Sequence, residues 1–112
     1  MKKIEAIIRP ERLGIIRGSL EELGYPGITI SEVKGHGKQR GITQQWRGQE
    51  YKVDLLPKLK LEIVVLDDDV TNTVNAIVRA SRTGEIGDGK IFVLPVESAI
   101  RVRTGDTDED AI

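Results

Sequence analysis

Two hydrophobic spacings take turns along this chain, and their order limits the possible folds more than any single motif does. Ile4, Ala6 and Ile8 recur at every second residue, the period of a strand with one buried face, and the run stops before Arg9-Pro10. Pro10 suits the first turn of a helix, where a missing N–H costs no hydrogen bond. Leu13, Ile16, Leu20 and Leu23 then fall at steps of three and four, an apolar helical stripe that Gly24 can terminate. Ile28, Ile30 and Val33 return to the strand period. From about Lys58 onward Leu59, Leu61, Ile63 and Val65 resume it. Asp67-Asp68-Asp69 supplies caps and negative charge for a helix N-terminus, and Val70, Val74, Ile77 and Val78 form a second helical stripe that frays near Ser81. A last strand runs from Ile91 to Val96, with Pro95 placing its end at an edge or bend.

Strand, helix, strand, strand, helix, strand predicts an α+β fold of the ferredoxin-like βαββαβ kind, a four-stranded antiparallel sheet with both helices on one face. The 112 residues suffice for one core and one domain, 1–112. The helices leave the second face of the sheet bare, yet Ile7, Val64 and Phe92 or Leu94 alternate onto it, so a homo-oligomer is expected. A net charge of −1 gives no footprint for nucleic acid. Without cysteine there is no disulfide or thiolate metal site, and the lone His36 has no partners for zinc. His36 reads as a half-buried residue at a strand end. No apolar run approaches the length of a membrane span, and Met1-Lys2-Lys3 leads into a strand, so a cytoplasmic protein is expected. The last residues, about 105–112, carry Asp106, Asp108, Glu109 and Asp110 and are expected as a mobile acidic tail.

Thr83-Gly84-Glu85-Ile86-Gly87-Asp88-Gly89-Lys90 is the stretch with most chemistry. Its glycines free the backbone to turn amides toward one point and Lys90 adds a cation, a combination suited to phosphate. The spacing Gly84-x-x-x-x-Gly89-Lys90 matches the start of a P-loop. However, Ile91 stands where Ser or Thr should hold magnesium, and a strand follows where a P-loop opens a helix.

Between the second and third strands lie roughly twenty residues, about 37–57, where a hairpin needs two to five. They show no convincing apolar period and hold the only Trp, Trp46, with Arg47 and Tyr51, residue types that anchor protein interfaces. A recognition loop is expected. Lys38 and Arg40 open it among glycines, Lys58 closes it, and Arg101-Val102-Arg103 supplies two further guanidiniums able to grip phosphate.

Taken together, Gly37-Lys38-Gln39-Arg40-Gly41, the limb Trp46 to Lys58, the loop Thr83 to Lys90 and Arg101-Val102-Arg103-Thr104 resemble the PII signal-transduction proteins of nitrogen regulation, over essentially the whole chain. The resemblance implies a homotrimer with nucleotide sites in the clefts between neighbours. It implies that Gly87, Asp88, Gly89 and Lys90, with Arg101 and Arg103 of the adjacent subunit, hold the phosphates of ATP or ADP. Thr29 and Val64 would border the adenine, and Gly37, Lys38 and Gln39 would close the site. It further implies 2-oxoglutarate bound beside MgATP. There Gln39 would be a magnesium ligand and Lys58 the partner of a carboxylate, with contacts from residues 37–41, including Arg40 and Gly41, and from Gly87. A dianion beside a polyphosphate needs such cations, or repulsion would forbid the pair. Through its long loop such a protein controls an ammonium transporter, which would bring it to the membrane, or a nitrogen-assimilation enzyme, and Tyr51 matches a residue that is covalently modified in many relatives. Lys38 stands where the family usually has Arg, Trp46 where Tyr is usual, and Gln49 where a smaller residue is usual.

No acid–base pair, activated nucleophile or metal triad assembles from these residues, so a regulatory binding protein is expected, not an enzyme. The competing reading is a small nucleotide-binding phosphohydrolase or transferase on the same scaffold, with Asp88 as its general base. An RNA binder would need a basic face and stacked aromatics, against which Phe92 alone and the net charge both speak.

Overall fold

The computed structural model describes residues 1–25, 27–36, 42–46, 49–53 and 55–112, with 42–46 and 49–53 described as backbone. Four strands form one antiparallel sheet: β1 (Lys2–Ile8), β2 (Thr29–Gly35), β5 (Leu56–Val65) and β6 (Lys90–Pro95), in the order β2-β5-β1-β6. Helices α1 (Leu13–Glu22) and α2 (Val70–Ser81) follow β1 and β5, each entered through a single tight turn, Pro10–Arg12 and Asp67–Asp69. This is the ferredoxin-like arrangement that the periodicities predict.

One parity of the strands makes the core. Ile4, Ala6, Ile8, Leu61, Ile63 and Val65 are buried against Ile16 and Leu20 of α1 and Ile77 and Ala80 of α2, so both helices cover the same face. Gly24 ends α1 with φ +83°, a conformation that glycine adopts without a Cβ penalty. Helix α2 remains regular through Ser81, which is buried, where fraying was expected.

The other parity carries Lys3, Glu5, Ile7, Lys60, Glu62, Val64, Phe92 and Leu94. Glu5 and Glu62 face each other across β1 and β5, a repulsive pairing that two lysines offset. Lys3 Nζ lies 3.2 Å from Glu5 and 2.9 Å from Glu62, and Lys60 Nζ lies 3.8 and 3.5 Å from the same pair. Phe92 is 49% exposed at the rim of this open face.

Two expectations change. The segment expected as a loop contains two strands, β3 (Ile42–Trp46) and β4 (Gln49–Val53), paired antiparallel from Ile42↔Val53 to Trp46↔Gln49 as a separate sheet. This ribbon pairs only with itself and adds no strand to the main sheet. Strand β5 likewise starts at Leu56, two residues before Lys58. The acidic end expected as a mobile tail folds back. Asp108 N–H donates to Ala99 O (2.7 Å), Ala99 N–H donates to Asp108 Oδ1 (3.2 Å), and Ile100 bridges Thr107. Among the described residues no helix is long and apolar enough to cross a membrane.

Candidate functional site

The glycine loop between α2 and β6 is held by side chains before any ligand is considered. Asp88 turns its carboxylate inward. Its Oδ2 accepts from the N–H groups of Thr83 (2.8 Å) and Gly84 (2.9 Å), and its Oδ1 accepts from Arg9 Nε (3.1 Å) and from the Thr83 hydroxyl. Arg9, at the end of β1, also donates through Nη2 to Ile86 O (2.9 Å). Lys58 Nζ, from β5, donates to Gly87 O (2.7 Å). Gly84, Gly87 and Gly89 all have positive φ. A Cβ on Gly89 would lie 1.7 Å from Ile7 O, so that position admits no side chain.

These contacts set the electrostatics. The Thr83 hydroxyl, then the Thr83 and Gly84 amides and the Arg9 guanidinium, hold the Asp88 carboxyl far below the usual carboxylate range. Burial, reinforced by the charge of Arg9, lowers the pKa of Lys58; only 6% of the residue is exposed. A cavity of about 860 Å³ opens beside the loop. Its walls are Ile7 of β1, Val33, Lys34 and Gly35 of β2 with His36 just beyond, Lys58 of β5, Ile86, Gly87 and Gly89 of the loop, and Lys90 and Phe92 of β6. Among the described residues three lysines and no carboxylate line it, so it suits a polyanion, and its volume is that of an ordinary small-molecule site.

The sequence-predicted residues divide. Gly87, Gly89, Lys90 and Lys58 converge at this cavity. Asp88 belongs to the loop, but its two carboxylate oxygens already accept from Thr83, Gly84 and Arg9. His36, expected half-buried, is exposed and lines the cavity. Thr29 pairs with Glu62 and Val64 with Lys3, whereas the cavity row is Ile7, Lys60 and Lys90. Val64 lies four strand residues, roughly 13 Å, from that row, but Thr29 lies only two away, on the rung of Glu5 and Phe92, and Phe92 itself lines the cavity. Arg101 and Arg103 also lie beyond the far end of β6, in a turn where Arg101 Nη1 approaches Asp106 (3.4 Å) and Thr104 Oγ1 donates to Asp106 (2.8 Å). Thr29, Val64, Arg101 and Arg103 of one protomer are thus a second set that does not line the cavity.

Gly37, Lys38, Gln39, Arg40, Gly41 and Arg47 lie outside the described residues. Trp46 and Tyr51 are described by backbone alone, opposite Gln49 and Gln44. Sequence reasoning missed Arg9, Lys34 and Ile86. Arg9 acts on residues 77 and 79 positions away, a pairing that no local pattern reveals.

The family model of nitrogen regulatory protein P-II matches residues 1–106. Among curated relatives, the nitrogen regulatory protein P-II of Cereibacter sphaeroides is 56% identical over 112 residues, all of both chains. Nitrogen regulatory protein P-II 1 of Escherichia coli K12 is 55% identical, again over all of both. Nitrogen regulatory protein P-II 2 of Methanothermobacter thermautotrophicus is 51% identical over all of this chain and 97% of its own.

Proposed function

Because the chain belongs to the nitrogen regulatory protein P-II family, whose members are regulatory signalling proteins, we propose that it senses ATP or ADP in the glycine-loop cavity, and 2-oxoglutarate together with MgATP. The observation that carries this reading is the convergence of Lys34, Lys58 and Lys90 on a cavity walled by Ile86, Gly87 and Gly89, with no carboxylate among the described residues that line it. Gly89 brings the backbone to the ligand without a side chain, and Lys90 supplies charge-assisted contacts to phosphate. Lys58, held against Gly87 O, pairs with the carboxylate of 2-oxoglutarate. Gln39 completes the magnesium shell that the nucleotide brings with it.

The two separated sets fit a head-to-tail assembly. If Thr29, Val64, Arg101 and Arg103 of one copy meet the glycine loop of the next, each contact makes one complete site. The interface is then heterologous, and three such contacts close a ring. The open sheet face, with Phe92 and Leu94 at its rim, is the apolar surface that such a homotrimer covers. The output passes through the segment between β2 and β5, with Trp46, Arg47 and Tyr51, to an ammonium transporter or a nitrogen-assimilation enzyme, and Tyr51 is the residue proposed for covalent modification. The protein then works in the cytoplasm and joins the membrane through the transporter. Asp88 argues against the phosphohydrolase or transferase alternative, since the carboxylate that reading uses as general base is already engaged by Thr83, Gly84 and Arg9.

Calorimetry tests the proposal. ATP is expected to bind wild type, and Lys90→Ala to weaken binding by about 1.5–3 kcal/mol, the worth of a charge-assisted contact. 2-Oxoglutarate is expected to bind measurably only with MgATP present. An unchanged ATP isotherm for Lys90→Ala would remove Lys90 from the site, and sustained ATP turnover well above background would restore the enzyme reading.

A further inference from the structure

We propose that Arg9 is a positioning residue of the nucleotide site: through Ile86 and Asp88 it holds the glycine loop in its binding shape without touching the ligand. The inference rests on the nucleotide reading of this cavity and adds to it a residue that does not line the cavity. Arg9 directly follows β1, the strand flanked by β5 and β6 in the sheet. Pro10 comes next and disfavours the helical region for the residue before it, and Arg9 is extended, with φ −68° and ψ 134°. Its guanidinium thus projects from a fixed base.

That guanidinium spans the turn. Nε donates to Asp88 Oδ1 (3.1 Å) and Nη2 to Ile86 O (2.9 Å), so one planar group clips the residues on either side of Gly87. Lys58 Nζ takes Gly87 O between them (2.7 Å). In a planar trans peptide the next N–H points opposite to the carbonyl. Drawing Ile86 O and Gly87 O onto two cations therefore turns the N–H groups of Gly87 and Asp88 away from those cations. Asp88 carries the clamp further into the loop, since its Oδ2 accepts from the Thr83 and Gly84 amides. Glycine backbone has more shapes open to it than any other, and Gly84, Gly87 and Gly89 all stand at positive φ. A loop without the clip would have to be ordered by the ligand as it binds, which lowers affinity. Lysine cannot stand in fully, because its compact ammonium lacks the rigid fork that reaches two acceptors at fixed geometry.

A double-mutant cycle on the full chain separates positioning from contact. ATP affinity is measured by calorimetry for wild type, Arg9→Gln, Arg9→Lys, Asp88→Asn and the double variant Arg9→Gln/Asp88→Asn. Arg9→Gln is expected to weaken binding about tenfold, the scale of one charge-assisted hydrogen bond, and Arg9→Lys to recover only part of that. Because Arg9 acts through Asp88, the double variant is expected to bind little more weakly than the poorer single variant. Isotherms are taken well below the Tm of every variant, where lost stability alone leaves affinity unmoved. If Arg9→Gln does not fold, Arg9→Lys takes its place in the cycle. A clear wild-type isotherm with unchanged affinity in the Arg9 variants would overturn the inference and leave the nucleotide reading intact. So would a double-variant loss equal to the product of the two single losses, which would put Arg9 on the ligand itself. Absence of any ATP isotherm for wild type would overturn both.

Discussion

Lys58 carries a cost in the folded chain that its proposed contact with a carboxylate would explain. Burial makes the folded protein hold this proton less firmly than the unfolded chain does, where lysine keeps its ordinary value of 10.5. Wherever the unfolded chain takes up the proton more readily, folding is opposed; that opposition fades only as pH rises toward 10.5. Lys58→Met removes the buried charge and the bond to Gly87 O together. Stability without ligand is expected to stay level or rise by up to about 1 kcal/mol, as when buried charges give way to apolar groups, while the response to 2-oxoglutarate disappears. Thermal unfolding of the ligand-free variant checks this, and a marked fall in Tm would mean that the 2.7 Å bond to Gly87 outweighs the burial. At this scale the sequence was half legible. Gly87, Gly89 and Lys90 announce a phosphate-type loop because their spacing is local. That Asp88 points inward is not legible, because its Arg9 partner is 79 residues away, and neither is the reason for Gly89, the carbonyl of Ile7.

At the scale of elements, α2 is tied to the α1–β2 connection by one phenol. Tyr25 OH donates to Asp69, the residue just before α2, whose side chain makes no capping bond to the helix, and accepts from Leu66 N–H (3.3 Å). Thr73 Oγ1 donates to Asp69 O (2.7 Å) from the first turn of the helix. Burial and then the Asp69 contact raise the pKa of Tyr25 above its ordinary 10.0. An acid with a raised folded value contributes stability that is complete below pH 10.0 and lost as pH climbs through the folded value. Tyr25→Phe is therefore expected to cost about 1–2 kcal/mol near neutral pH and to unfold with a weaker alkaline dependence than wild type; denaturant titrations at neutral and alkaline pH read both. The four core strands and both helices were legible because each buries one face and so carries a period. The β3–β4 ribbon and the folded-back acidic end carry none: the first lies in a separate two-stranded sheet, and the second is held by Asp106 and Asp108, residues that in a sequence look like solvated charge.

For the whole molecule, the separation of the two residue sets makes a prediction that no single-chain site makes. Lys90→Ala damages one half-site and Arg103→Ala the other. If sites form between copies, refolding the two inactive variants together at equal amounts is expected to restore about one site in four, since a site is intact only where an undamaged loop meets undamaged arginines. Calorimetric stoichiometry counts them, and a mixture that binds no more ATP than its components would place each site within one chain. The sheet register has one more consequence. β2 and β5 face each other as far as Gly35↔Leu56, so the chain leaves the sheet and re-enters it at the same rung. The β3–β4 segment is thus a cartridge plugged into an already complete hairpin, not part of the frame. Exchanging a twenty-residue closure for a two-residue one changes loop entropy by only about 2 kcal/mol. That segment can therefore be exchanged while the glycine-loop end, anchored on β1, β5 and β6, stays as it is.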